Sequence, residues 1–132
     1  MSTLFINQIK MTKVEIINIV ASHYNESNRA YEKGFGCKYR TEDGRMCAVG
    51  MCMTDEGLSE FGDTKVAVHA IARTLQGRGK ELDDILKDEY RGHDIELWEK
   101  LQVLHDNETH WNEDGISNLG KHKVSRLINE LK

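Results

Sequence analysis

Residues 37–50 read Cys-Lys-Tyr-Arg-Thr-Glu-Asp-Gly-Arg-Met-Cys-Ala-Val-Gly, and this stretch decides the fold. Two short β-compatible runs lie on either side of Asp43-Gly44, which is a strong signal for a β-hairpin. A two-residue turn would place Thr41 opposite Met46. A three-residue loop would shift the pairing by one residue and move each side chain to the other face. The sequence leaves both registers open.

Helical patterns lie on both sides of this hairpin. Before it, Thr12 begins a capping box that opens a helix ending near Tyr24. After it, residues 54–63 are predicted as a turn-rich connector, with Asp63 as the cap of the next helix. Apolar residues then recur at helical spacing in three groups: Val68, Ile71, Ala72 and Leu75; Leu97, Trp98, Leu101 and Leu104; Val124, Leu127, Ile128 and Leu131. With a short helical piece at 82–86, this predicts an α+β fold in which a small β-hairpin or sheet packs against four or five helices.

Length and charge narrow the class of protein. The chain has 132 residues, so we expect a single domain spanning 1–132, with residues 1–11 as an irregular lead-in. A net charge of −4 argues against non-specific nucleic-acid binding, which needs a basic surface. The sequence has neither a secretory-signal pattern at its start nor a long apolar run, so we expect no membrane association. An odd number of cysteines, three, then indicates reduced thiols in the cytoplasm.

The cysteines at 37, 47 and 52 could in principle bind a metal. Zinc sites usually begin with two cysteines about two to four residues apart, because a tight turn can aim both at one ion. The spacings here are ten and five residues. We therefore expect no metal, no other cofactor, and thiols that pack in the core like small apolar groups.

A thiol hydrolase is the enzymatic alternative. Its nucleophile would be Cys47 or Cys37, with His105 as the base and Asp106 as the group that orients the base. Adjacent residues on a helix point about 100° apart, so Asp106 is not expected to orient its own neighbour. This mismatch, together with the apolar surroundings of Cys47, favours a non-enzymatic protein.

Basic residues cluster in the hairpin of this otherwise acidic chain. Lys38, Arg40 and Arg45 could hold a phosphate group or an acidic partner surface. For Arg40 the preferred interpretation is structural, as a tie to a carboxylate such as Asp106. Trp111 follows a helix among polar residues, so we expect it on a partner-binding surface.

Written as C-x-Y-R-T-x-D-G-x-x-C-A-V-G, the hairpin resembles a motif of a family of small proteins from bacteriophages, prophages and bacteria. In that family a Leu-Gln-x-x-His-Asp motif and a tryptophan follow. The matching residues here are Leu101, Gln102, His105, Asp106 and Trp111. One departure is Met53-Thr54-Asp55-Glu56, where family members often carry an Ile-Pro-Asp-Glu-like turn. The resemblance implies a hairpin-and-helix architecture and a phage-type setting, but no particular chemistry.

These observations together predict a non-enzymatic, phage-type binding protein in the cytoplasm of a host cell. It would act on a host protein, as an inhibitor of a defence or regulatory component. The first alternative is a binder of a small phosphate-bearing or nucleotide ligand through the basic hairpin, and the second is the thiol hydrolase. Whether the chain forms homo-oligomers is left open.

Overall fold

The computed structural model describes residues 10–32 and 36–131, so most of the predicted lead-in lies outside the described residues. Five α-helices occur in that part of the chain: α1 Lys13–His23, α2 Asp55–Phe61, α3 Val68–Gln76, α4 Ile95–Asp106 and α5 Asn118–Leu131. Two antiparallel strand pairs accompany them: β1 Tyr31–Glu32 with β2 Gly36–Cys37, and β3 Trp111–Asn112 with β4 Gly115–Ile116. Short 3-10 helices lie at Gly50–Cys52, Leu82–Ile85, Asp88–Tyr90 and Glu108–His110. The predicted α+β class, with small hairpins packed against helices, is confirmed.

Helix α1 begins where the capping box predicts. The Thr12 hydroxyl accepts a hydrogen bond from the Glu15 N–H (3.1 Å), and the Glu15 carboxylate accepts one from the Thr12 N–H (2.9 Å). On the inner face, Ile16, Ile17 and Val20 are fully buried against the rest of the core. Across the described residues, neither this helix nor any other has the length and apolar composition to cross a bilayer.

Helix α4 runs through the middle of the core and positions the candidate site. It packs against α1, α3 and α5. The apolar stripe predicted for this helix is buried as expected: Leu97, Trp98, Leu101 and Leu104. Its last two residues, His105 and Asp106, reach the chain just before β1, because Arg29 and Ala30 hydrogen-bond to them. The C-terminal end of α4 therefore meets the first hairpin.

The Asp43-Gly44 turn forms with the three-residue register. Arg40 pairs with Met46, and the Thr41 N–H donates to the Arg45 carbonyl (2.8 Å). Gly44 has a φ of +88°, which suits the left-handed position that closes a three-residue loop. The Arg45 N–H donates in turn to the Thr41 hydroxyl (3.0 Å), which supports this register over the two-residue one.

The prediction of a second strand at residues 46–50 is wrong beyond Met46. The last cross-strand bond runs from the Cys47 N–H to the Tyr39 carbonyl (3.1 Å). The chain then turns away, because the Cys47 sulfur accepts the Gly50 N–H (3.2 Å) and the Cys47 carbonyl accepts the Met51 N–H (2.9 Å). Gly50, the last residue of the predicted strand, thus begins the 3-10 helix Gly50–Cys52. Cys47 before this helix and Cys52 at its end are both buried.

The predicted connector at 54–63 is also wrong, because α2 occupies most of it. The Thr54 hydroxyl accepts the Gly57 N–H (3.1 Å) and so caps the helix. Gly57 weakens a helix by propensity, but here its missing side chain lets the backbone lie against Ile85. Helix α3 begins at Val68 with Ala67 as its cap, and not at the predicted Asp63.

Candidate functional site

A pocket of about 350 Å³ lies beside the start of α3, one face of α4, and β2. Its lining residues come from three separate parts of the chain: Cys37, Tyr39, Lys65, Val66, Ala67, Val68, His69, Glu99, Gln102, Val103 and Asp106. Tyr39 and Val68 are buried, and Cys37 and Gln102 are half-buried, so these four form the inner surface. Val66 and Val103 stay about half exposed, at 46% and 55%, and add an apolar rim. A volume near 350 Å³ suits one small molecule or one long side chain.

Two of the four residues named for a thiol hydrolase, Cys37 and Asp106, line this pocket, and a third, His105, lies beside them. A sulfur, nitrogen or oxygen atom from each of Cys37, His105 and Asp106 lies within 4.8 Å of the others. Cys47 is not part of this group, and its thiol is fully buried.

The expectation that Asp106 cannot orient His105 is wrong. The His105 Nδ1 and an Asp106 carboxylate oxygen lie 2.7 Å apart. Asp106 is the last residue of α4, and no following helical turn crowds its side chain. Side-chain torsions can therefore close the angle of about 100° that separates adjacent positions on a helix.

The hydrogen bonds of His105 define its tautomer and leave it no free nitrogen. The Ala30 N–H donates to Nε2 (3.2 Å), so Nε2 must be unprotonated and the ring proton must sit on Nδ1, facing Asp106. The ring is fully buried, and this burial lowers the pKa of His105. A neutral imidazole with both nitrogens engaged cannot take a proton from Cys37.

Cys37 is correspondingly a poor nucleophile. Burial raises the pKa of its thiol to about 12, and the charge and hydrogen bond of Asp106 act in the same direction. The nearby Arg29 guanidinium, with a nitrogen 3.9 Å from the sulfur, offsets this only in part. Because a cysteine attacks as the thiolate, a protonated Cys37 beside a carboxylate is set up as a hydrogen-bond donor and not as a catalyst.

The same hydrogen bonds make this group a poor metal site. A metal ion at Nδ1 of His105 would displace the proton that faces Asp106 and move it to Nε2. Nε2–H would then point at the Ala30 N–H, placing two donors against each other in the core. The residues therefore suit a hydrogen-bond network better than a metal ion.

Gln102 is the member of this network that the sequence analysis missed. Its amide nitrogen donates to an Asp106 carboxylate oxygen (3.1 Å). Since a carboxylate only accepts, the amide oxygen must face the other way, and that buried atom has no hydrogen-bond partner among residues 10–32 and 36–131. Gln102 and Asp106 are four residues apart, so their shared helix face could have been predicted from the Leu-Gln-x-x-His-Asp motif.

The basic residues predicted to bind phosphate contact the protein itself. The Arg45 guanidinium forms a 3.0 Å ion pair with Asp43 and donates to the Arg29 carbonyl (2.9 Å). Arg40 is half-buried and donates to the Leu58 carbonyl of α2 (3.4 Å), so the expected tie to Asp106 is wrong. Lys38 is half-buried next to Cys37, and its backbone N–H donates to Ala30 (2.9 Å). The structure does not bring these residues together as an open anion site.

Trp111 does not lie on an exposed surface, contrary to the expectation from its polar neighbours. Its side chain is only 4% exposed, and its indole N–H donates to the His105 carbonyl (3.1 Å). The ring also packs edge-on against Tyr24, with centroids 5.7 Å apart. The Trp111 side chain therefore supports the last turn of α4 from within the core, and its contribution to the site is structural.

The chain matches no protein-family model, no curated protein and no solved structure.

Proposed function

We propose that this chain is a non-enzymatic binding protein, and that the pocket between α3, α4 and β2 is its ligand site. The observation that carries the proposal is the preformed pocket itself, with an apolar rim and a polar inner surface. Specific binding sites commonly combine apolar walls with a few polar groups in this way. The thiol hydrolase is not retained, because His105 has no free nitrogen and the pKa of Cys37 is raised.

The proposal extends to the kind of partner. Val66 and Val103 are both exposed in the pocket lining, and exposed apolar side chains at a cavity are typical of protein docking sites. The resemblance to phage and prophage proteins favours a host protein as the partner, inhibited by occupation of its own surface. A host target fits the size and acidity of the chain without requiring any catalytic residue.

A charge placed on the pocket rim should abolish partner binding. We expect Val103→Lys to lose the proteins that the wild-type chain captures from a bacterial host lysate, because an ammonium group on this rim must be desolvated on docking. Val103 is a surface position on α4, so the fold should tolerate the change within about 0.5 kcal/mol. Capture on immobilised protein, read by quantitative mass spectrometry, measures the loss.

The matched control is Leu119→Lys. Leu119 is also an exposed apolar residue, at 61%, but it lies at the start of α5 and outside the pocket lining. Its variant should capture the same proteins as the wild type. Retention of those proteins by Val103→Lys, or their loss from both variants alike, would show that the pocket rim is not the binding surface.

A further inference from the structure

Three side-chain donors inside the pocket are already committed to acceptors of the protein. The Tyr39 hydroxyl donates to the Val66 carbonyl (2.6 Å). The Gln102 amide donates to Asp106, and the Cys37 thiol has Asp106 as its hydrogen-bond partner. What these groups leave for a ligand is acceptor capacity, in the hydroxyl and carboxylate oxygens.

The charged side chains of the lining also favour a ligand that donates hydrogen bonds and carries positive charge. Two carboxylates, Glu99 and Asp106, line the pocket, and their side chains remain 45% and 41% exposed. Against them stand the Lys65 ammonium and the His69 ring, whose Nδ1 lies 3.9 Å from a Glu99 oxygen. The lining therefore holds two carboxylates and one ammonium group besides the imidazole of His69.

The walls between these polar groups are aliphatic. Val66, Ala67, Val68 and Val103 supply them, and they offer no hydrogen bond from their side chains. A ligand that is complementary to both the aliphatic walls and the polar acceptors needs a flexible hydrocarbon stem and a positively charged head with several hydrogen-bond donors. An anionic group would find the uncapped N–H groups at the start of α3, but it would also lie against the Glu99 and Asp106 carboxylates, which repel it.

We infer that the pocket binds a primary alkylammonium group, such as the side chain of a lysine, with its stem along the valines and its head at Asp106. This inference rests on the proposed function and specifies the chemical group that the pocket recognises. Asp106 is well placed for the head group, because Gln102 and His105 hold one of its oxygens in a fixed position. An ammonium also presents three donors, which matches a site rich in acceptors.

The test is an NMR titration of the full chain with two probes of equal length and opposite charge, n-butylammonium and butyrate. We expect butylammonium to shift the backbone resonances of Val66, Gln102 and Val103 in a saturable manner, and butyrate to leave them unmoved. Asp106→Asn keeps an oxygen to accept from His105 but removes the charge, and it should weaken butylammonium binding about tenfold or more. Asp114→Asn, the same change in the exposed β3–β4 turn, should leave binding as it is.

Further arms make each outcome decisive. Because Asp106→Asn alters a residue that contacts the core, Glu99→Gln is a second variant, and it should also weaken binding while leaving the melting temperature unchanged. Nα-acetyl-lysine methylamide and cadaverine separate a protein lysine from a free polyamine as the source of the ammonium group. Saturable binding of butyrate, or butylammonium binding that neither Asp106→Asn nor Glu99→Gln weakens, would overturn the inference. The capture experiment with Val103→Lys is independent of the butylammonium result, so the two proposals fail separately.

Discussion

Replacing Arg29 with methionine should destabilise the fold by about 3–5 kcal/mol, since two charge-assisted hydrogen bonds are lost in the core. Arg29 is 5% exposed, and its guanidinium donates to the His105 carbonyl and to the Asp106 carbonyl, both at 2.8 Å. Both carbonyls lie at the C-terminal end of α4, beyond its internal hydrogen bonds, where a cation also complements the helix dipole. Methionine has a similar length but removes the guanidinium donor from the Asp106 carbonyl and leaves the His105 carbonyl with the Trp111 indole N–H alone. Urea unfolding followed by circular dichroism measures the change in the free energy of unfolding.

Arg73→Met provides the matched control for Arg29. Arg73 is exposed in the last turn of α3, so its replacement should change the free energy of unfolding by less than about 0.5 kcal/mol. Arg29→Lys should fall between the two, because a single ammonium group does not reproduce the planar fork of a guanidinium. If Arg29→Met and Arg73→Met have equal stability, the Arg29 guanidinium does not hold the end of α4 to the chain before β1.

Gly50→Ala should destabilise the protein by about 3 kcal/mol or more, or prevent folding, through a clash between two backbone segments. A Cβ atom at this position would overlap the Tyr39 carbonyl oxygen and lie 3.0 Å from the carbonyl carbon. Neither segment can give way easily, because the Cys47 N–H is bonded to that same carbonyl (3.1 Å). The expected measurement is a large drop in melting temperature, with the resonances of Tyr39 displaced if the protein still folds.

Gly77→Ala tests the same chemical change without the clash. Gly77 ends α3 with a φ of −61°, and an added Cβ would lie 3.4 Å from the nearest atom, the Thr74 carbonyl oxygen. We expect a change of less than about 0.5 kcal/mol, because alanine accepts this conformation. Similar melting temperatures for the two alanine variants would contradict the close packing of Gly50 against the Tyr39 backbone.

Much of the helical framework could be predicted from the sequence, because each signal involved is local. The Thr12 capping box and the apolar stripe of α4 depend on residues within one or two turns, and both occur as predicted. Helix α2 was missed since Gly57 resembles a turn residue. Its tolerance in a helix depends on contact with Ile85, which is distant in sequence.

The register of the Asp43-Gly44 loop and the place of Trp111 could not be predicted for a related reason. The dipeptide is compatible with both loop lengths, and the bond between Thr41 and Arg45 that separates them depends on a side-chain rotamer. Trp111 has polar neighbours in sequence, but its indole finds Tyr24 and the His105 carbonyl through the tertiary fold. The polar sequence neighbours of Trp111 therefore led to a wrong prediction of its solvent exposure.

The candidate site was half predictable. Cys37, His105 and Asp106 were named from residue type alone, and the structure does bring them together. Their roles were not predictable, because the tautomer of His105 depends on the N–H of Ala30, far away in sequence. The pocket walls at 65–69 have no pattern that distinguishes them from any other connector.

The reactivity of Cys37 tests most directly whether its cluster with His105 and Asp106 is a hydrogen-bond network or a catalytic group. The native protein is treated with iodoacetamide between pH 6 and pH 10, and mass spectrometry of digests follows the alkylation of this residue. With a pKa of about 12, the rate should rise about tenfold for each pH unit across the whole range, in proportion to the thiolate fraction. A rate that reaches a plateau between pH 6 and pH 8 would mean an activated thiolate, and would contradict a non-enzymatic role for this site.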